Sequence, residues 1–143
     1  MKYLRNLFRI CKKYNSQSDN QSIKNLRAEL IAVLNIEDYK EKQKVMQNII
    51  QRGSATTPIL TKIALEFDPN HLEDDPTEIK FTLARDALGL IGEIGKLEDN
   101  DAQAIFMQFI RGRSGGEANM ENWGGVWSTA VHTLEKIGYH VVE

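Results

Sequence analysis

Acidic side chains form the densest cluster of chemically active groups in this sequence. Six of the thirteen residues from 66 to 78 are acids, and no lysine or arginine lies among them. These acids are Glu66, Asp68, Glu73, Asp74, Asp75 and Glu78. Because such a block repels itself and attracts cations, it favours contact with a basic partner surface. The chemistry that it predicts is electrostatic recognition of another protein.

The acidic segment lacks the ligand order of a calcium-binding loop. Leu72 occupies the place of a third ligand, and no glycine provides the sharp turn. Histidine offers no alternative, because His71, His132 and His140 are far apart in the chain. Neither Cys-x-x-Cys nor His-Glu-x-x-His occurs. The sequence therefore predicts no metal and no cofactor, and the alternative to a docking loop is a solvated acidic loop.

Catalytic patterns are also missing from the sequence. The glycine-rich stretch 112–116 is followed by no Gly-Lys-Ser/Thr and preceded by no expected strand, which argues against phosphate-loop chemistry. No combination of serine, histidine and aspartate suggests a nucleophilic triad. We therefore expect a protein that is not an enzyme.

Tryptophan supplies the second candidate contact. Trp123 and Trp127 lie one helical turn apart, beside Gly124 and Gly125. Two glycines in a first turn weaken a helix by roughly 1 kcal/mol each, so they indicate a close approach of the backbone to a helix or a ligand. Trp127 is expected in the core, whereas Trp123 is expected to be exposed and to contact a partner.

Composition narrows the class of protein. The chain has 143 residues, 41% of them apolar and 27% charged, as expected for one globular domain. A net charge of −2 and a pI of about 5.9 argue against a nucleic-acid partner. No apolar run reaches the roughly 20 residues of a bilayer span, and the basic N-terminus lacks the apolar centre of a signal peptide. With a single cysteine, Cys11, these features predict a cytoplasmic protein.

Apolar residues recur at spacings of three and four, which predicts an all-α protein. Prolines lie only at the edges of these periodic segments. Seven helices are predicted, at residues 2–14, 22–35, 37–52, 57–67, 77–94, 101–112 and 122–137. The polar stretch 15–21 is interpreted as a linker, Gly53 and Gly138 as helix stops, and Thr77 as a helix cap.

The sequence contains an internal repeat. A shift of 46 residues superimposes the apolar positions of 59–64 on 105–110, and those of 81–92 on 127–138, without a gap. The loops between them, 68–76 and 114–122, have equal length and unrelated sequence, so we expect both to project from one edge. A shift of 39 residues suggests a fainter upstream copy, in which Val45, Ile49 and Gly53 match Ala84, Leu88 and Gly92.

The stretch 75–92 resembles the second helix of a HEAT repeat. In that family a turn containing Asp-Pro leads into a helix with an aliphatic residue, a basic residue, spaced alanines and Leu-Gly. The matching residues are Asp75, Pro76, Ile79, Lys80, Ala84, Ala87, Leu88 and Gly89. The second copy departs from this pattern at Gly124, Gly125, Thr133 and Glu135. The resemblance covers residues 57–138 well and 20–53 loosely.

A HEAT-like resemblance implies a short right-handed α-α superhelix of about seven helices in antiparallel pairs. Within a single domain, 1–143, we interpret 1–19 as a basic amphipathic helix and linker that cap the array. Residues 20–56 are then a degenerate first repeat, 57–99 a second repeat, and 100–143 a third repeat with a C-terminal tail.

HEAT-like arrays mostly act as binding scaffolds, so the leading hypothesis is a protein-protein interaction module. It would bind a partner with a basic surface through the acidic loop and the Gly/Trp loop. A bacterial immunity-type protein that neutralises a basic toxin is a narrower alternative. The remaining alternatives are a HEAT-like nucleic-acid-binding protein, a small lyase or glycosylase, and a structural fragment that pairs with itself as a homo-oligomer.

Overall fold

Helices make up most of the described protein. The computed structural model describes residues 2–3, 17–111 and 120–141, and the side chains of 20–111 and 125–141. Six α-helices lie in these ranges: α1 (Gln17–Leu34), α2 (Tyr39–Gln51), α3 (Thr57–Leu65), α4 (Ile79–Ile94), α5 (Asp99–Phe106) and α6 (Met120–Ile137). A π-helical turn, Met107–Arg111, continues α5, and short 3-10 turns lie at Gly53–Ala55 and Leu72–Asp74. Two short strands, β1 (Lys2–Tyr3) and β2 (Tyr139–His140), pair in parallel.

The N-terminal region differs from the expectation of seven helices. Lys2–Tyr3 form β1 instead of the start of a helix, because they pair with β2. Gly138, at φ +118°, leads the chain out of α6 and into β2. Residues 4–14 of that expected helix lie outside the described residues. The expected linker 15–21 is wrong from residue 17 onward, where α1 begins, since polar residues are compatible with the first turn of a helix.

The other six expected helices overlap α1 to α6, and small shifts occur at their ends. Gly53 has φ +78° directly after α2, which confirms it as a helix stop, as Gly138 is for α6. Thr77 is not the cap of α4, because that helix begins at Ile79 after Glu78. The cap is instead the upstream side chain of Asp75, which belongs to the acidic segment.

The described helices pack in two layers. In one layer α3 lies between α1 and α5, and in the other α4 lies between α2 and α6. The pair α3 and α4 joins the two layers at the centre of the molecule. Alternate helices therefore share a layer, and the described loops between consecutive helices cross from one layer to the other.

The 46-residue period is visible in the core. Four pairs of positions related by this shift are at most 1% exposed in both copies. They are Leu60 and Phe106, Ile63 and Phe109, Ala84 and Ala130, and Leu88 and Leu134. The repeat register that apolar spacing predicts thus places equivalent residues at buried positions in both helix pairs.

The departures of the second copy from the first have local structural causes. Thr133, which takes the place of Ala87, is buried and donates its hydroxyl to the carbonyl oxygen of Leu88 on α4 at 2.9 Å. Gly125 brings the α6 backbone against α4, where a Cβ would lie 3.2 Å from Cζ of Phe81. The close approach that the glycine pair predicted is, at Gly125, an approach to another helix.

Candidate functional site

The acidic loop, residues 66–78, begins at a point that is held by a neighbouring helix. Gln108, in the π-helical turn after α5, donates from Nε2 to the carbonyl oxygens of Leu65 and Phe67 at 2.8 and 2.7 Å. Phe67 is buried and packs edge-on against Phe81 of α4, with ring centroids 5.5 Å apart. These contacts fix the backbone on both sides of Glu66.

The middle of the acidic loop is shaped by contacts among its own residues. Asp68 accepts a hydrogen bond from the backbone N–H of Asn70 at 2.9 Å, and its other carboxylate oxygen lies 2.6 Å from Nδ1 of His71. The Asp68 carboxylate, through this hydrogen bond and its charge, raises the pKa of the His71 imidazole above its usual value. Leu72 packs on the core, which ties the 3-10 turn to the protein.

Asp75 fixes the end of the acidic loop to α4. It is only 8% exposed, and its two carboxylate oxygens accept from the backbone N–H groups of Lys80 and Phe81, each at 2.9 Å. The side chain therefore satisfies two of the donors that a helix N-terminus leaves unpaired. Glu78, at the helix start, is held at φ +60°, a conformation that non-glycine residues rarely adopt.

Glu66 is joined to α1 by an ion pair. Arg27 donates from Nε to one carboxylate oxygen of Glu66 at 3.0 Å and from a terminal nitrogen to the other oxygen. The pair spans 39 residues of sequence and links α1 to the C-terminal end of α3. Two parallel contacts of this kind also orient the guanidinium plane.

A cleft of about 470 Å³ opens between α1, α3 and the start of α4. Its apolar lining consists of Ile31, Ile63, Leu83 and Ile79, of which Ile63 and Leu83 are buried and Ile79 is 40% exposed. The remaining lining residues are Arg27, Glu66, Asp74, Asp75, Pro76, Thr77 and Lys80. The lining thus combines apolar side chains with charged ones, as binding sites commonly do.

The structure places the predicted contact residues in different surroundings. Glu66, Asp74 and Asp75 line the cleft, whereas Asp68 pairs with His71. Glu73 and Glu78 are exposed on the loop, as is Asp74. Within the described residues, no hydrogen bond or ion pair involves the carboxylates of these three acids. That the acidic loop is a docking site stays a prediction. Asp75 has a structural role, because it accepts hydrogen bonds from the start of α4.

The second predicted contact region cannot be placed beside the first. The side chain of Trp123 and the loop residues 112–119 lie outside the described residues. The expectation that both loops share one edge therefore remains a prediction. Trp127, expected in the core, is half-buried and packs against it.

Most of the described cleft lining was not predicted as contact residues, including the two cations Arg27 and Lys80. Arg27 and Ile31 lie four residues apart on α1, and Lys80 lies in the first turn of α4. A spacing of four puts Arg27 and Ile31 on one helix face, which is the only local signal that they act together. Their meeting with Glu66 depends on the packing of α1 against α3, which no local pattern encodes.

A half-buried carboxylate lies at the start of α5, outside the cleft lining. Oδ2 of Asp101 is buried and has no hydrogen-bond partner among the described residues. Burial is the main cause that raises the pKa of Asp101 to about 6, the charge of Glu98 adds to it, and Lys62 opposes it. Nearby, the Tyr139 hydroxyl donates to Oδ1 of Asp99 at 2.6 Å.

The described residues include neither a metal-binding cluster nor a membrane-spanning helix. No group of three or more His, Cys, Asp or Glu in them is placed to hold a metal ion. No helix in the described ranges is both long and apolar enough to cross a membrane. Comparison of the chain with protein-family models, with curated proteins and with solved structures finds no match. The function must therefore be argued from the fold and from the cleft.

Proposed function

We propose that this chain is a protein-binding module that docks a partner with a basic surface through its acidic loop. One observation carries the proposal: Glu73, Asp74 and Glu78 present exposed carboxylates from a loop that Gln108 and Asp75 anchor at its two ends. A loop held in this way loses little conformational entropy when it binds, so its charges are preorganised.

The scaffold in this proposal is a HEAT-like solenoid with a right-handed superhelix. Its support is the alternation of helices between two layers, together with the equivalent buried positions 46 residues apart. In such an array the loops between paired helices are free to vary, because the core constrains only the helices. The acidic loop is the variable part that would set the choice of partner.

Charge reversal of the exposed acids tests the proposal. The loop variant carries Glu73→Lys, Asp74→Lys and Glu78→Lys, and Asp75 is left intact because it holds α4. The matched control carries Glu37→Lys, Glu41→Lys and Glu135→Lys, which are also exposed and change the net charge by the same amount. Each tagged full-length chain is used to capture proteins from native lysate, which are quantified by mass spectrometry.

We expect the loop variant to lose a basic partner by at least about tenfold, because it removes three attractions and adds three repulsions. The control variant should retain that partner within about twofold, since its changed charges lie elsewhere. Equal loss from both variants would show that net charge, and not the acidic loop, governs capture. Equal retention by both would place the partner on another surface.

A further inference from the structure

We infer that the cleft between α1, α3 and α4 receives one long cationic side chain of the partner, an arginine, whose guanidinium pairs with Asp74. The stem of this side chain would lie against Ile31, Ile63 and Leu83, which form the apolar lining. The inference rests on the proposed function, since it names the group by which a basic partner is recognised.

The protein's own Arg27 shows how the cleft lining holds such a group. Arg27 extends from α1 past the cleft to Glu66, where the guanidinium pairs with both carboxylate oxygens. Arginine stems commonly cover apolar surface while the charged end remains at the rim. Asp74, another lining residue, offers a second carboxylate, which accepts no hydrogen bond and forms no ion pair among the described residues.

The charges around the cleft favour a cation. Among the described residues, three acids line it, against the two cations Arg27 and Lys80. Asp75 is satisfied by backbone N–H groups and Glu66 by Arg27, so the free pair is Asp74 and Lys80. Beyond the lining, the acidic loop carries two more exposed acids, Glu73 and Glu78. The field that an approaching side chain meets is therefore negative.

The lining of the cleft favours arginine over a shorter group. A volume of about 470 Å³ leaves room for a long side chain that enters from a partner surface. Ile63 and Leu83 are buried apolar residues of the lining, so a stem of several methylene groups gains from contact with them. Asp74 is a carboxylate, and the planar guanidinium fork matches that geometry better than an ammonium does.

Nuclear magnetic resonance with three blocked tripeptides tests the inference. The probe is acetyl-Ala-Arg-Ala-amide, titrated into the full chain with ¹³C-labelled Ile and Leu methyl groups. The first control replaces arginine by citrulline, which keeps the shape and removes the charge. The second replaces it by 2-amino-3-guanidinopropionate, which keeps the charge and shortens the stem by two methylenes.

We expect the arginine probe to shift the methyl signals of Ile31, Ile63 and Leu83, with a millimolar Kd. The citrulline probe should bind about fivefold more weakly, because it lacks the ion pair. The short-stem probe should also bind about fivefold more weakly, because methylene contact with the lining is partly lost. Charge dependence without stem dependence would overturn the inference, as would the absence of shifts at these three residues.

Substitutions at charged residues of the cleft lining test where the guanidinium of the probe binds. Asp74→Asn should weaken binding of the arginine probe about fivefold, and Lys80→Gln should strengthen it about twofold by removing the opposing charge. Glu135→Gln on α6 should leave binding unchanged, because no described side chain of this helix lines the cleft. Equal binding to the Asp74→Asn variant and the wild-type chain would contradict the assignment of the guanidinium site.

The two proposals fail in different ways. If charge reversal of the acidic loop abolishes partner capture but the arginine probe leaves the cleft methyl signals unchanged, the loop docks a partner and the cleft inference is wrong. If the probe enters the cleft but capture is insensitive to the loop, the cleft binds guanidinium groups and the proposed docking function is wrong.

Discussion

Two neighbouring acids, Asp74 and Asp75, differ in what their carboxylates do. Asp75 is buried and accepts two backbone hydrogen bonds at the start of α4, whereas Asp74 is exposed on the cleft rim. A buried capping carboxylate contributes to stability, while an exposed one is free to contribute to binding. The acidic loop therefore combines the two roles in adjacent residues.

Substitution separates these roles. Asp75→Ala should lower the free energy of unfolding by about 1–2 kcal/mol, because two N–H groups of α4 lose their acceptor. Asp75→Asn should lower it by about half as much, since one acceptor oxygen remains. Asp74→Ala is the matched control and should change it by less than about 0.5 kcal/mol. Urea denaturation measures all three, and equal effects of the two alanine variants would contradict the capping role.

The raised pKa of Asp101 makes stability depend on pH. Its pKa of about 6 in the folded protein exceeds the usual 3.8, so the folded state holds a proton that the unfolded state has released between these values. The Asp101 contribution to stability is therefore fully present below pH ~3.8 and is lost as the pH rises through ~6. Asp101→Asn removes this dependence.

We expect Asp101→Asn to stabilise the protein more at pH 7.5 than at pH 4.5. The gain should increase by about 1–2 kcal/mol over this interval, a figure reduced for solvent screening at a half-buried site. Denaturant titrations at both pH values measure it, with the exposed Glu135→Gln as control. A gain that is the same at both pH values would show that burial does not disfavour the Asp101 charge.

At the scale of helices, the contact between α4 and α6 gives Gly89 and Gly125 different surroundings. Gly89 is exposed on α4, with no atom within 4 Å of an added Cβ. Gly125 on α6 faces Phe81, whose Cζ would lie 3.2 Å from such a Cβ. The two glycines have the same helix propensity but different surroundings.

Alanine substitution measures this difference. Gly89→Ala should raise the free energy of unfolding by roughly 0.5–1 kcal/mol, since alanine is the better helix former. Gly125→Ala should raise the free energy of unfolding by about 1 kcal/mol less than Gly89→Ala does, or should lower it, because the Phe81 ring must move. Thermal and urea unfolding of the two variants provide the comparison. Equal gains would mean that α6 does not approach α4 as closely as the structure has it.

Helix positions and the repeat register could be predicted from the sequence because both depend on local apolar spacing. Leu88 and Leu134 have the same place in that spacing and the same burial. The strand at Lys2–Tyr3 could not be predicted, since it forms only against Tyr139–His140 at the other end of the chain. The cap of α4 was also missed, because Asp75 reaches the helix from several residues upstream.

The candidate site was predictable only in part, for the same reason. Its acidic residues are consecutive in sequence and their charge is visible there. The cleft, however, depends on α1 packing against α3, which brings Arg27 to Glu66 across 39 residues of sequence. No local sequence pattern encodes a contact across 39 residues, so the apolar lining and the ion pair could be identified only in the folded structure.

At the scale of the whole molecule, α3 and α4 occupy the centre of the two layers, and the acidic loop connects them. The loop is thus held by the most enclosed helices of the described protein. Contacts from α1, through Arg27, and from the turn after α5, through Gln108, brace it from both sides. A charged surface on such a support changes little on binding, which favours fast electrostatic association.

The ratio of partner captured by the two charge-reversed chains shows whether the acidic loop is the docking surface. The chain reversed at Glu73, Asp74 and Glu78 should retain at least about tenfold less of a basic partner than the chain reversed at Glu37, Glu41 and Glu135. Raising the salt concentration should weaken capture by the wild-type chain. A ratio near one, with both chains folded, would contradict the claim.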